Sequence, residues 1–336
     1  MPKLKNLLIA APIFLLFVLG ASCSKVDQKT VNHKPVRISL DIFPGYAYAF
    51  IAKEKGIFAK NGVDVELVLN QDYLVSQKNF ADGLVDGVFS VYADAITASQ
   101  QGAPLKVVCI RDQSIKGDVI MARPEITSIE ALKGKKIGVE GINSFSHLFV
   151  LNILKKYGLG EGDVFFANIV AQHLADAIEK GEVDAGHTYG AGVAHAKEKG
   201  YHPLAYAGEV QGIITDVLVF NPTVIKDRPE DIKRIVKSLY EALEFQKTNR
   251  EEALQIIAKA IGDTPQSVAE GIDGLRNFDL KESFEAMRPS AELTNLFGSG
   301  KLISEFFLNR GQISVQPDLN EIVDNHFVEQ LLKEQK

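Results

Sequence analysis

The chain spells one short pattern twice. Gly83-Leu84-Val85-Asp86-Gly87-Val88-Phe89-Ser90-Val91-Tyr92-Ala93-Asp94 reads as a tight turn, a short apolar strand and the start of a helix. Gly181-Glu182-Val183-Asp184-Ala185-Gly186-His187-Thr188-Tyr189 repeats its Gly-x-Val-Asp-small core. A strand–loop–helix unit used once in each half constrains the chain to two similar lobes, each offering a strand end to a shared space. The 336 residues leave room for two domains, at about 100–200 residues each.

The surrounding periodicity agrees. Residues 36–41, 63–69, 85–89 and 105–110 read as strands, separated by helical stretches over 47–60, 72–81 and 92–101. This βαβαβαβ rhythm predicts a mainly parallel sheet covered on both faces. A polar turn at Asp112-Gln113-Ser114 then leads into Val119-Ile120-Met121, a strand crossing into the second lobe. Thr127-Ser128-Ile129-Glu130 spells a capping box, which opens a short helix. Strands over 136–140, 164–169, 183–186 and 203–206 alternate with helices over 143–157, 172–180 and 189–199, a second run of the same plan. A strand over 216–220 leads back to the first lobe. The remainder is helical. Ile232, Ile235, Val236, Leu239 and Leu243 mark one face of a helix over 229–247, because apolar residues three and four apart share a face. Further helices are predicted over 250–261, from Thr264-Pro265, and over 289–298, 302–310 and 321–334. The expected fold class is α/β, with lobe one formed by 36–118 plus 217–336 and lobe two by 119–216.

The first residues follow another logic. Lys3 and Lys5 precede an uncharged apolar run from Leu7 to Leu19, then Gly20-Ala21-Ser22-Cys23-Ser24. A positive end, a short apolar centre and small residues describe an export signal. The run is shorter than the roughly 20 residues of a membrane span. Cys23 after small residues resembles the bacterial lipobox, which makes 1–23 a lipoprotein signal peptide, Cys23 the lipidated residue and 24–35 a polar tether. A plain signal peptide cut nearby, or an anchoring helix, are the alternatives. Cys109 sits in a strand pattern and reads as a small buried hydrophobe. No transmembrane segment follows, so the expectation is an exported soluble body at the periplasmic or extracellular face, lipid-anchored to the membrane. A net charge of −6 and no basic block argue against a nucleic-acid partner.

Enzyme motifs are missing. There is no Gly-x-Ser-x-Gly elbow, no phosphate-cradling Gly-rich loop and no paired-Cys metal spacing. His147 and His187 stand at strand–helix junctions, but nothing beside them supplies a nucleophile. The expectation is no catalytic residue, no metal and no cofactor. The loops after the strands are more informative, because ligands of open α/β sheets sit at the carboxyl ends of strands. Four are polar-aromatic: Phe43-Pro44-Gly45-Tyr46, Ser90-Val91-Tyr92-Ala93-Asp94, Gly141-Ile142-Asn143-Ser144-Phe145-Ser146-His147 and His187-Thr188-Tyr189. Aromatic walls and a few oriented polar groups suit a small-molecule cleft, with Phe43, His147 and His187 among the candidates. Backbone N–H groups of the Asn143–His147 loop could receive an anionic or carbonyl group; equally, Asn143 and Ser144 read as helix caps.

Several stretches together resemble the periplasmic solute-binding proteins of the nitrate/taurine/sulfonate and thiamine-precursor import group. They are Ala52-Lys53-Glu54-Lys55-Gly56-Ile57-Phe58-Ala59-Lys60-Asn61-Gly62-Val63-Asp64-Val65, the Gly-x-Pro-Leu-Lys-Val-Val run from Gly102 to Val108, and Asp112-x-Ser114-x-x-Gly117-Asp118. Ser128-Ile129-Glu130-Ala131-Leu132-Lys133-Gly134-Lys135-Lys136-Ile137-Gly138-Val139 and Val183-Asp184-Ala185 complete the set. The resemblance implies a type II periplasmic-binding-protein fold: two α/β lobes, two crossover strands and a helical C-terminal region. It implies a monomer that captures a small organic or anionic solute between the lobes for an ABC permease and its ATPase. The ligand contacts it carries over are Tyr46, Tyr92, Asp94, Ser114, Asn143, Ser144 and Tyr189. Sulfonate and nitrate binders need cationic or donor groups, for which Arg111 and Arg123 are the candidates. An exported ligand sensor, or an enzyme like the pyrimidine-precursor synthases, are the rival functions.

Overall fold

The computed structural model describes residues 34–335. The signal, Cys23 and nearly all of the tether therefore lie outside the described residues. Eleven strands are formed among the described residues: β1 (Val36–Leu40), β2 (Val65–Leu69), β3 (Gly87–Val91), β4 (Lys106–Ser114), β5 (Asp118–Ala122), β6 (Lys136–Val139), β7 (Phe165–Asn168), β8 (Ala185–Tyr189), β9 (His202–Tyr206), β10 (Thr215–Phe220) and β11 (Leu275–Asn277). They build two sheets, ordered β11-β4-β10-β3-β1-β2 and β7-β6-β8-β5-β9. Leaving out β11, each sheet has the same plan: second, first and third strand, then an inserted strand, then the fourth.

The doubled spelling has a structural cause. In lobe one the Asp86 carboxylate accepts the Arg37 N–H of β1 at 2.8 Å. In lobe two the Asp184 carboxylate accepts the Lys136 N–H of β6 at 2.9 Å. Each Asp ties the turn before the third strand to the start of the first strand. Gly83 and Gly181 hold φ of 70° and 72° in those turns, a left-handed conformation open to glycine at no steric cost.

The sheets are mixed, where the rhythm predicts mainly parallel pairing. β1 pairs parallel with β2 and β3, and β6 with β7 and β8. β10 runs antiparallel between β3 and β4, and β5 antiparallel between β8 and β9. The cause is the crossing itself. β5 and β10 enter their sheets from the other lobe, at the carboxyl ends of the parallel strands, and so run against them.

Several helices depart from expectation. The stretch over 47–60 breaks into Tyr48–Glu54 and Ile57–Lys60 at Gly56, whose φ is 66°. The helix expected over 289–298 does not form. Asn295 caps Leu296–Asn309 through Phe297 N at 2.8 Å, while its amide donates to the carbonyls of Glu285 and Arg288. The side chain thus closes the preceding helix and opens the next, leaving a turn between. That preceding helix, Leu280–Ala286, carries a capping box of Asp279 and Glu282. Among the described residues no helix is long and apolar enough to cross a membrane.

Candidate ligand cleft

The carboxyl ends of β1, β3, β6 and β8 meet where β5 and β10 begin. A cavity there is lined from both lobes by Asp41, Phe43, Tyr46, Tyr73, Val91, Asp118, Phe145, Tyr189, Ile214 and Asp216. Its volume is about 10 Å³, the room of roughly one water. Aromatic rings form its walls: Phe43 meets Tyr46 and Tyr189 edge-on, at 5.1 and 5.7 Å between centroids. Tyr73 meets Phe145 at 5.2 Å.

Acids occupy matching positions in the two lobes. Asp41 follows β1 and Glu140 follows β6. Asp216 near the start of β10 faces Val91, the last residue of β3, and Asp118 at the start of β5 faces Tyr189, the last residue of β8. All four are buried. The Tyr189 hydroxyl lies 3.0 Å from Glu140 Oε2 and 3.3 Å from Asp41 Oδ2. A phenol has one proton to give, so the two carboxylates compete for it across the cleft. Burial pushes the Asp41 carboxyl up to about 7 and, with Asp41's charge added, that of Glu140 up to about 8. Tyr46 donates to Asp216 Oδ1. Asp216 also faces Asp112 across the β4–β10 pair, and burial followed by that neighbouring charge holds its carboxyl well above the ordinary range.

The structure brings together part of the predicted set. Phe43, Tyr46 and Tyr189 line the cavity. His187 stands behind it: Nε2 lies 2.8 Å from Asp118 Oδ1 and Nδ1 2.8 Å from Ser146 Oγ. Ser146 Oγ also accepts the Glu140 N–H at 2.9 Å, so it can give its own proton to Nδ1. The chain of bonds fits the Nε2–H tautomer, which orients Asp118. Asp94 bridges the lobes beside the cavity, accepting from Tyr73 OH and from Phe145 N of lobe two, each at 3.0 Å. Burial raises its carboxyl to about 6 against those two bonds.

The other expected contacts lie elsewhere. Tyr92 is fully buried and packs on Gly300, where an added Cβ would come within 3.0 Å of its hydroxyl. Ser114 Oγ accepts the Asp118 N–H at 2.8 Å and shapes the crossover turn. Ser144 caps the helix Phe145–Lys156 through Ser146 N. Asn143 adopts φ 72° on the rim, where its side-chain oxygen accepts from Arg310. His147 Nδ1 accepts the Asn143 N–H at 3.1 Å, and burial lowers its imidazole to about 4, so it stays neutral. Arg111 is buried against the Tyr48 and Tyr240 rings, 5.8 and 5.5 Å away, and Arg123 pairs with Asp184 at 3.6 Å. Neither lines the cavity. Sequence reasoning did not single out Asp41, Tyr73, Asp118, Phe145 and Asp216, which line the cavity, or Glu140, which stands behind Tyr189. Asp41 and Glu140 carried a signal: each is the acid that ends its lobe's first strand. Among the described residues no cluster of three or more His, Cys, Asp or Glu is arranged to hold a metal ion.

Comparison with known proteins places this geometry. A Bacillus subtilis (strain 168) protein named as an aliphatic sulfonates-binding protein is 24% identical over 337 residues, covering 98% of this chain and 96% of its own. A Haemophilus influenzae protein named for thiamine biosynthesis is 29% identical over 175 residues, 51% of this chain. The chain spans about half of that relative's length, 54%. The alkanesulfonate-binding protein SsuA from Xanthomonas axonopodis pv. citri, bound to MOPS, superposes with a TM-score of 0.72 at 16% identity, covering 87% of this chain and 99% of its own. That likeness shows a periplasmic-binding-protein fold. The NMT1/THI5-like family profile matches residues 44–253, more than half of the chain, and the protein belongs to that NMT1/THI5-like family.

Proposed function

We propose that the protein is the solute-binding component of an ABC importer. It captures a small organic solute between lobes 36–118 plus 217–336 and 119–216 and presents it to a permease driven by an ATPase. The observation that carries the reading is a cavity at the strand ends, lined by both lobes and bridged by Tyr189–Asp41 and Asp94–Phe145 hydrogen bonds. Such bonds form only when the two lobes meet, as they do in hinge closure over a ligand. Full-length similarity to a protein named for sulfonate binding supports a transport role. The reading involves no catalytic step.

Ligand binding is tested by thermal stabilisation across small organic cations, neutral compounds and anions. A ligand at about 100 times its dissociation constant should stabilise the protein by roughly 2.7 kcal/mol. A flat response in all three classes would sink the reading. Lipidation of Cys23 places the protein on the outer face of the membrane. Cys23→Ser should move it from the membrane to the soluble fraction, and an unchanged distribution removes the anchor from the proposal.

A further inference from the structure

We infer that the cleft, once its lobes part beyond the one-water cavity described above, selects a small organic cation, an ammonium or amidinium group held between Asp41, Asp118 and Asp216 with aromatic rings around it. The inference rests on the binding-protein reading above and specifies the charge of its ligand.

Three observations carry it. First, the cavity lining contains three carboxyls and no Lys or Arg. Glu140 and Asp112, also buried, add to the same charge from behind. On the side of β4, Arg111 offsets part of Asp112, and the neutral His187 donates to Asp118 in the tautomer described above. Neither side chain lines the cavity. Second, one oxygen of each lining acid meets no N–H or hydroxyl donor: Asp41 Oδ1, Asp118 Oδ2 and Asp216 Oδ2, with Asp216 also bonded to the Asp112 carboxyl when one of that pair is protonated. These residues are 1, 2 and 1% exposed. A buried carboxylate oxygen without a donor is costly, and a ligand with several N–H groups supplies the missing donors in charge-assisted form. Third, aromatic rings line the cavity, and the face of such a ring attracts a cation once water is removed.

The rival is an anion, and the structure disfavours it. The N-terminus of the helix Phe145–Lys156 is where an anion would be favoured. Its Phe145 N–H already goes to Asp94, and Asn143 N–H and Ile142 N–H go to His147 and Asn168. A sulfonate placed among these acids could be held only if their carboxyls were protonated donors. The two ligands therefore respond oppositely to pH. Cation affinity rises as Asp41 and Glu140 lose their protons through about 7 and 8; anion affinity falls over the same range. With one carboxyl controlling binding, the slope approaches about tenfold per pH unit below its titration point.

The test uses guanidinium, methylammonium and benzamidinium as cationic probes, benzamide as neutral probe, and benzoate and methanesulfonate as anionic probes. Calorimetry and thermal shift are recorded at pH 5, 6, 7 and 8. The expected result is binding of at least one cation, tightening with pH and releasing protons into the buffer. Asp216→Asn should lower that affinity about tenfold or more, with its melting temperature at pH 8 no lower than wild type. Glu140→Gln, from the opposite lobe, serves if Asp216→Asn does not fold. Binding of anions without cations overturns the charge assignment and leaves the binding-protein reading in place. Cation binding unaffected by either variant overturns the site. Silence from every probe counts against both readings.

Discussion

Asp41 sits at the end of a buried strand with one oxygen bonded to Tyr189 and the other without a donor. Its ordinary carboxyl value of 3.8 rises to about 7 because burial penalises the charge. Folding therefore favours the protonated form. The stability this contributes is complete below about 3.8 and is lost as pH rises through about 7. An asparagine has nearly the same shape and never ionises. Asp41→Asn should gain on wild type between pH 5 and pH 8, by about 1–3 kcal/mol or a few °C in melting temperature. Comparing the two proteins at both pH values cancels the titration of surface groups. A difference that is the same at pH 5 and pH 8 would show that Asp41 bears no such cost. The same substitution should weaken cation binding, so stability and ligand capture pull this residue in opposite directions.

At the level of elements, the repeat first visible as spelling is scaffold. Asp86 and Asp184 each tie a third-strand turn to a first-strand N–H, and neither lines the cavity. Asp86→Ala and Asp184→Ala should each cost about 1–2 kcal/mol, since each loses a hydrogen bond from a strand-end N–H to a charged carboxylate, the more for Asp86, whose bond is partly buried where that of Asp184 is exposed. Asp82→Ala, which breaks an exposed pair with Lys78, should cost below about 1 kcal/mol. Urea midpoints with unchanged slopes would measure this, and equal losses in all three would dismiss the tie. This repeat was legible because turn chemistry is local: a left-handed glycine and an Asp at fixed spacing. The cavity acids were not legible for the opposite reason. Asp118 and Asp216 matter because β5 and β10 are inserted beside β8 and β3, and no local signal states which strands will be neighbours. Tyr92 opens a helix beside the cavity residue Val91, but its ring packs toward Gly300. Pro289 suggested a helix start, yet Asn295 holds that segment as a turn.

For the molecule as a whole, the question is what holds the lobes together. A buried bridge runs from Tyr189 to Asp41 and a partly buried one from Asp94 to Phe145 N beside the cavity. Others lie on the rim: Arg310 to Asn143, partly buried, and the exposed pairs Arg310–Glu161 and Lys197–Glu270, the last at 3.2 Å. The exposed pairs face solvent and are worth about 0.2–1 kcal/mol each. Only a change in the closed fraction passes to ligand affinity, so Arg310→Ala should weaken binding by no more than about fivefold. The loss should come through faster release and shrink as salt screens the pair in wild type. Asp94→Ala removes a partly buried acceptor shared by Tyr73 and the lobe-two helix, leaving two donors unmet. It should weaken binding about tenfold or more and be insensitive to salt. Dissociation rates of the best-bound probe, measured for both variants at low and high salt, separate the two contributions. If Arg310→Ala abolished binding while Asp94→Ala spared it, closure would be governed at the rim, and the inner bridges would be packing contacts that follow.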